Sequence, residues 1–332
     1  GRHVDDRTFI IGLGRAFLGR TLAETEVARI AGRLKTLGSR GALTQEFMTS
    51  DEARRLASIP VFAPPGHFYS PVVDPTTLPP DRLSNLPDRI DGIALDRGAM
   101  VALWQRLLPA VSSHPFADKP GGGRRYGFVN PAFQWADALI LHAMIREFRP
   151  RRILEIGSGW SSACAVDTVE HFLPGACDIT MADPYPELAQ DLVGEYRGPH
   201  RFLRTRLQDM DPALFAALEP DDILFVDSTH VLATGSDVHR MLFDILPVVR
   251  SGVLVHFHDI FWPFDYPDAW VRDENRSWNE AYALRAYLTD NPRWQILWLA
   301  DYFQRFEGTR LAADCPEMTK VMGGSLWLRK LG

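Results

Sequence analysis

Hydrophobic residues in the first part of the chain recur at helical intervals. Val27, Ile30 and Leu34 are separated by charged residues, and the same spacing runs through residues 1–60. Such a pattern places the apolar side chains on one face of a helix. We therefore predict a small helical module over residues 1–60.

Proline then interrupts the pattern. Residues 60–87 contain Pro64-Pro65 and Pro79-Pro80, and proline lacks the N–H group that regular helices and strands use. The prolines predict an extended linker and a domain boundary. We divide the chain into a helical module (1–60), a proline-rich linker with a helical extension (61–125) and a main domain (126–332).

Short apolar runs alternate with amphipathic segments in the main domain. The alternation predicts a doubly wound α/β sheet. Strands are predicted at 152–156, 178–182, 201–204, 223–226, 253–257, 294–299 and 325–328, and helices at 161–171, 187–196, 211–218, 237–246 and 278–289. The last two strands are expected to pair as an antiparallel hairpin at the sheet edge.

The first strand of this domain ends in a glycine turn. Ile153, Leu154 and Ile156 form a buried apolar run, and Gly157 and Gly159 follow it. Glycine lets the backbone turn sharply and approach a ligand. The hydroxyls of Ser161 and Ser162 are then expected to cap the next helix. A turn of this kind between a strand and a helix is typical of nucleotide-like cofactor sites.

Two details favour S-adenosylmethionine over a dinucleotide. The third glycine of a dinucleotide turn is replaced by Ser162. Glu155 places a carboxylate where a diphosphate would be repelled and a cationic methionine group attracted. Asp183, at the end of the second strand, is placed to bind both hydroxyls of a ribose, although it also suits a simple turn before Pro184.

The composition of the chain indicates which binding partners and which cellular compartment to expect. The chain has 332 residues, 46% hydrophobic and 23% charged, with a net charge of −6. The negative charge argues against nucleic-acid and membrane partners. Cys164, Cys177 and Cys315 are widely spaced, which favours a reducing compartment without structural zinc. With no recognisable signal peptide, we expect a cytoplasmic protein.

Acidic and histidine side chains follow the fourth and fifth strands. They are Asp227, His230, His256, His258 and Asp259. Ligands of open α/β sheets bind beyond the carboxyl ends of the strands, so we place the chemistry here. Strand alternation puts His256 and His258 on one face.

Three segments carry a family resemblance: residues 155–162, 222–230 and 256–263. They resemble the class I S-adenosylmethionine-dependent methyltransferases, most closely the branch known as methyltransferase family 24. The resemblance covers about residues 126–328 and implies a seven-stranded Rossmann-like sheet of order 3-2-1-4-5-7-6. It also implies a set of cofactor-binding residues, namely Glu155, Gly157, Ser158, Gly159, Trp160, Ser161, Asp183, Gln208 and Asp209.

Related methyltransferases hold a divalent cation after strands four and five. The matching positions are Asp227, His258 and Asp259, and a histidine with two carboxylates suits magnesium, manganese, iron or zinc. Histidine is a departure from the oxygen ligands of those relatives. The simpler alternative is that no metal is present, Asp227 caps a turn and His258 packs as a neutral ring. If the enzyme works without a metal, His230 or His258 becomes the general base. We take His230, His258 and Asp227 as catalytic candidates.

An aromatic loop follows the fifth strand. Residues 261–267 hold four aromatic side chains, which suit either a lid over the methyl donor or packing between elements. Glu280, in the first turn of the next helix, is a secondary candidate for substrate binding.

The sequence therefore predicts a methyltransferase that acts on a hydroxyl of a small polar metabolite or glycan. Alternatives are a metal-dependent hydroxylase-like enzyme on the same fold and a scaffold with a vestigial methyltransferase domain. Residues 14–20 and 47–52 resemble a helical module of bacterial surface-polysaccharide proteins. That resemblance suggests docking or self-association through the N-terminal helices.

Overall fold

A computed structural model describes residues 6–18, 22 and 24–332. The chain divides into two compact units, one ending at Asp74 and the other running from Pro75 to Gly332. The predicted boundaries at 60 and 125 stay a prediction. No helix in the described ranges has both the length and the hydrophobicity to cross a membrane.

The described residues of the first unit form four helices: α1 (Asp6–Leu18), α2 (Glu24–Leu37), α3 (Arg40–Met48) and α4 (Asp51–Ala57). Ser39 and Ser50 cap α3 and α4 by accepting backbone N–H groups at 3.1 and 3.2 Å. Apolar residues from α1, α2 and α3, including Ile10, Ile30 and Leu43, form its buried core. The described residues of this unit are helical, as the apolar spacing predicted. The module's bounds and its family resemblance stay predictions.

The prolines act as predicted. Between Ala57 and Arg97 the described chain has a single regular element, the short 3-10 turn Pro75–Thr77. This follows from the missing proline N–H groups.

The second unit is built on a seven-stranded sheet of order β3-β2-β1-β4-β5-β7-β6. Its strands are β1 (Arg152–Ile156), β2 (Asp178–Asp183), β3 (His200–Arg204), β4 (Ile223–Val226), β5 (Leu254–Phe257), β6 (Trp294–Leu299) and β7 (Leu326–Lys330). β1 to β5 run parallel, and β7 is antiparallel to both β5 and β6. The predicted fold class and strand order are confirmed.

Ten α-helices accompany the sheet in the described residues of this unit. They are α5 (Arg97–Ser112), α6 (Trp135–Phe148), α7 (Trp160–Phe172), α8 (Glu187–Val193), α9 (Ala213–Ala216), α10 (Asp237–Arg240), α11 (Asp268–Arg272), α12 (Glu280–Leu288), α13 (Ala300–Phe306) and α14 (Gly308–Asp314). A π-helical turn, Met241–Ile245, continues α10.

Two helices separate the last two strands. β6 and β7 pair antiparallel as predicted, but they are not joined by a short turn, so the prediction of a hairpin is wrong on this point. Because β7 lies between β5 and β6, its backbone completes the sheet beside the loop that follows β5. The central strands β1, β4 and β5 are buried almost throughout, so their ends hold the site on a rigid base.

Candidate active site

The loop after β1 turns at Gly157, whose φ of 79° lies in the left-handed region. A Cβ there would lie 2.0 Å from the carbonyl oxygen of Asp227, which leaves room for glycine alone. The Gly157 N–H donates to the Ala182 carbonyl at 3.0 Å. The turn is thus pinned between the ends of β2 and β4.

Glu155 supports this turn from below. It is 2% exposed, and its two carboxylate oxygens accept the hydroxyls of Ser161 at 2.6 Å and Ser162 at 2.5 Å. Ser162 also accepts the Gly159 N–H at 3.0 Å and so caps α7. Burial raises the pKa of Glu155 to about 8, although both hydroxyls act to lower it. Glu155 therefore holds the start of α7, and direct contact with a methionine group stays a prediction.

A cleft of about 280 Å³ opens beside the turn. Asp183 lies at its edge, where its two oxygens accept the N–H groups of Ser158 at 3.0 Å and Tyr185 at 2.6 Å. The hydroxyl of Ser158 is buried and has no hydrogen-bond partner among the described residues. A glycine without room for a Cβ, a carboxylate and an unpaired hydroxyl suit a ribose-containing ligand that brings its own polar groups.

The remaining predicted cofactor residues lie in different surroundings. Gln208 lines the cleft and donates to the Gly235 carbonyl at 3.1 Å. Its neighbour Asp209 is exposed and pairs with Arg206 at 2.8 Å. Trp160 is half-buried at the first position of α7.

Five ionisable side chains meet where β4 and β5 end: Asp227, His230, His258, Asp259 and Glu280, named here the charge cluster. His230 Nδ1 lies 2.8 Å from Glu280 Oε2. Its Nε2 lies 3.5 Å from Asp227 Oδ1 and 3.6 Å from Asp259 Oδ2. Burial alone would lower the pKa of His230, but Asp227, Glu280 and Asp259 raise it to about 10. The three carboxylates therefore favour the protonated form of His230.

His258 and Asp259 form a second contact in the cluster. His258 Nε2 lies 3.5 Å from Asp259 Oδ1. Burial opposes charge on His258, yet Asp259, Asp227 and Asp137 together raise its pKa. Burial also raises the pKa of Asp259, against the lowering effect of both histidines. Burial by itself would raise the pKa of Asp227, but His230 and His258 outweigh this effect, so the pKa is lowered.

His256 lies apart from this chemistry. Its ring stacks on Phe225 at 3.9 Å, and its Nε2 lies 3.2 Å from the Ser325 hydroxyl. Burial and the charge of His258 hold its pKa well below the usual range. His256 is a neutral core residue that faces His258 at 5.8 Å, as the predicted alternation requires.

The predicted metal ligands do not fit a metal ion. Among the described residues, no group of at least three His, Cys, Asp and Glu side chains could hold one. His230 Nε2 points toward the space between Asp227 and Asp259, at 3.5 Å from Asp227 Oδ1 and 3.6 Å from Asp259 Oδ2. The metal prediction is not supported.

The aromatic loop packs instead of covering the site. Phe261, Trp262, Phe264 and Tyr266 are each at most 5% exposed. The backbone N–H of Trp262 donates to Asp301 at 2.9 Å. Of the two alternatives, the structure favours packing, because these rings are already buried in the domain.

Sequence reasoning missed how Glu280 acts. It considered Glu280 for substrate binding, but the carboxylate is 1% exposed and binds His230 and Ser228. Glu280 and His230 are 50 positions apart, so no local spacing links them. The signal available was a carboxylate in the first turn of a helix that follows the site.

The sheet order, the glycine turn and the carboxylate ending β2 define the class I, Rossmann-like methyltransferase fold. A family model described as a methyltransferase domain matches residues 154–260. The chain belongs to this family of S-adenosylmethionine-dependent methyltransferases, and the resemblance seen in the sequence is confirmed.

Individual relatives are more distant. An uncharacterized protein of Archaeoglobus fulgidus is 30% identical over 167 residues, which cover 48% of this chain and 75% of that protein. The methyltransferase PaMTH1 of Podospora anserina, solved with S-adenosylhomocysteine, is 16% identical with a TM-score of 0.41, covering 71% of this chain and 89% of that one. The O-methyltransferase TomG of Streptomyces achromogenes, solved with S-adenosylmethionine, is 17% identical with a TM-score of 0.40. The match covers 72% of this chain and 92% of that one. Similarity this low carries nothing about substrate.

Proposed function

We propose that the protein transfers the methyl group of S-adenosylmethionine to a hydroxyl oxygen of a small polar metabolite or glycan. The observation that best supports this proposal is the position of Asp227. This residue lines the cofactor cleft and also faces His230 of the charge cluster. A single carboxylate therefore adjoins both the donor site and the ionisable groups.

Within this proposal, the chain's own residues position the reactants and take up the proton. When bound, S-adenosylmethionine supplies a methyl group on a cationic sulfur, which leaves as a thioether when the C–S bond breaks. Asp183 holds the ribose, and the Gly157 turn lets the donor approach the backbone. The acceptor oxygen forms the new C–O bond, and its proton passes to a carboxylate oxygen of Asp227.

The histidines act on the carboxylates in this scheme. Both nitrogens of His230 face carboxylates, so the ring orients Asp227 and does not act as the base. His258 balances the charge of Asp259 in the same way.

Metal assistance is not part of the proposal, and labelled methyl transfer to a panel of hydroxylated compounds should survive treatment with a chelator. Loss of transfer on chelation, restored by magnesium or manganese, would contradict this point.

Calorimetry with S-adenosylhomocysteine tests the donor site. Wild type should bind, and Asp183→Ala should weaken binding by about tenfold or more, because a charged hydrogen-bond acceptor is lost. Asp178→Ala is the matched control, since Asp178 is exposed at the other end of the same strand. A wild type that ignores S-adenosylhomocysteine and binds a nicotinamide dinucleotide would overturn the proposal.

The alternatives are weaker. A hydroxylase-like enzyme needs iron at Asp227, His258 and Asp259, where the geometry does not suit a metal. A scaffold role for the N-terminal helices, including self-association, remains a separate hypothesis.

A further inference from the structure

A second cleft, of about 300 Å³, lies beside α13. Its lining, named here the α13 cleft, consists of Asp301, Gln304 and Arg305 and of residues 319–322, which lead to β7. Gln304 fixes the wall formed by these loop residues. Its amide nitrogen donates to the carbonyls of Met318 and Val321 at 2.6 and 2.8 Å, and its oxygen accepts the Gly323 N–H at 2.8 Å. The wall therefore has a fixed shape before any ligand binds.

The protein uses only one oxygen of the Asp301 carboxylate, whose side chain is 1% exposed. Oδ2 accepts the Trp262 N–H and the Arg305 Nε–H, both at 2.9 Å. Oδ1 is buried and has no hydrogen-bond partner among the described residues. A buried acceptor in this state destabilises the folded protein. A ligand that brings an O–H group to Oδ1 would relieve this cost.

Arg305 brings hydrogen-bond donors to the same cleft. Its Nη2 lies 3.7 Å from the sulfur of Met322, and a thioether is only a weak acceptor. Met322 is 49% exposed, and its unbranched side chain can adopt another rotamer without disturbing the core. A ligand hydroxyl is a better acceptor than this sulfur, so it can displace Met322 and reach both Arg305 and Asp301.

The charges and the apolar residues of the cleft indicate an uncharged ligand that is rich in hydroxyls. Asp301 and Arg305 balance each other at 2.9 Å, and the ammonium of Lys320 lies 3.9 Å from the Glu317 carboxylate. Both cations of the cleft thus already have a carboxylate partner. A carboxylate next to a guanidinium matches neighbouring hydroxyls of a sugar or polyol, because each hydroxyl both donates and accepts.

The α13 cleft adjoins the charge cluster through the loop before β7. Met322 lines the cleft. Gly324, two residues later, is so close to Asp259 that a Cβ on it would lie 3.0 Å from the Asp259 Cα. The loop that lines the cleft therefore also borders the groups that are proposed to act on the acceptor.

We propose that the α13 cleft is a binding site for a sugar or polyol, in which Asp301 accepts a ligand hydroxyl and Arg305 donates to one. The inference goes beyond the proposed methyl transfer, because the site lies outside the donor cleft and binds its ligand whether or not that ligand is methylated. Its test measures sugar binding and uses no methyl donor. Failure of the proposed function would appear separately, as absence of S-adenosylhomocysteine binding.

Ligand-observed NMR titration of the full chain tests the proposal. The probes are D-glucose, D-mannose and myo-inositol, with cyclohexanol as a ring that has a single hydroxyl. Wild type should bind at least one of the three polyols, and more tightly than cyclohexanol. Arg305→Lys keeps the charge opposite Asp301 but loses the guanidinium donors, so it should weaken polyol binding by about tenfold or more. Arg310→Lys is the matched control, since Arg310 is an exposed arginine that pairs with Glu307 at 2.9 Å, and it should bind as wild type does.

A second variant addresses the carboxylate. Asp301→Asn retains the shape of the side chain but removes its charge, so it should also weaken polyol binding by about tenfold or more. A cooperative thermal melt verifies that each variant folds, and Arg305→Lys alone decides the test if Asp301→Asn does not. The proposal is overturned if wild type binds none of the three polyols, or if the folded variants bind them as tightly as wild type. Tighter binding of cyclohexanol or of inorganic phosphate than of the polyols would overturn it as well.

Discussion

Gly157 is the residue at which backbone geometry and ligand access coincide. Gly157→Ala should abolish S-adenosylhomocysteine binding and lower the free energy of unfolding by more than about 3 kcal/mol, because left-handed strain is joined by a clash with a carbonyl. Urea unfolding and calorimetry measure both effects.

Gly175→Ala is the matched control for that change. Gly175 has a similar φ of 71°, but a Cβ there meets nothing within 4 Å. Its replacement should cost only the strain of about 1–2 kcal/mol and leave ligand binding intact. Equal losses in the two variants would show that the close contact with Asp227 is unimportant.

Glu155, which supports the glycine turn, should make the stability of the protein depend on pH. Its pKa rises from 4.5 to about 8 on folding because the carboxylate is buried. Between these values the folded protein holds a proton that the unfolded chain has released, so stability falls as pH rises through this window. Glu155→Gln cannot titrate and should lose this fall.

Urea unfolding of wild type and Glu155→Gln at several pH values measures this. The free energy of wild type relative to the variant should decrease from about pH 4.5 to about pH 8 and then level off. Exposed Glu147→Gln is the control for loss of a carboxylate. A difference that does not change with pH would contradict the argument.

Residue identity alone was enough to locate part of the site. Gly157, Asp183 and Asp227 each directly follow or end a strand, and a strand end has a known place in a parallel sheet. The charge state of the site could not be read in this way. It depends on Glu280 reaching His230 from another element, a contact that only tertiary packing creates.

At the scale of elements, α12 serves as the clamp for the loop after β4. Asn279 accepts the Leu232 N–H at 2.5 Å and donates to the Leu232 carbonyl at 3.2 Å. Asn279→Ala should therefore lower the free energy of unfolding by about 1–3 kcal/mol. It should also speed amide hydrogen exchange in residues 228–232.

Asn291→Ala provides the comparison at the other end of the same helix. Asn291 also makes two side-chain hydrogen bonds, to Tyr287 and Arg293. Its loss should reduce stability without faster exchange in residues 228–232. If both variants loosen that loop equally, α12 acts as a rigid body and not as a local clamp.

Strands were more predictable than helices, for a physical reason. β4 and β6 match their predicted bounds because short apolar runs in a buried sheet have clear limits. α8 ends at Val193 before the predicted end, since Gly194 turns with φ 55°. α13 and α14 were not predicted at all.

At the scale of the whole molecule, the cleft proposed to bind the methyl donor lies entirely within the second unit. All residues that line the cleft lie between Ile156 and Asp237, within the unit that begins at Pro75. A protein consisting of residues 75–332 should therefore bind S-adenosylhomocysteine with an affinity within about twofold of the full chain. Calorimetry of both proteins measures this.

That deletion also separates two roles of the N-terminal helices. Circular dichroism and a cooperative melt verify that the shorter protein folds. A folded 75–332 protein with binding weakened more than about tenfold would show that the helices contribute to the donor site. Unchanged binding leaves them free for docking or self-association.

The place of β7 has a consequence for the timing of synthesis. Leu326–Lys330 is the last strand in chain order, yet it inserts beside β5, and a Cβ at Gly324 just before it would lie 3.0 Å from the Asp259 backbone. While a ribosome is still making the chain, β1 to β5 can form, but the wall behind Asp259 cannot. The nascent protein can thus acquire its donor cleft early, whereas the groups that would act on the acceptor come into register only when residues 323–330 have emerged.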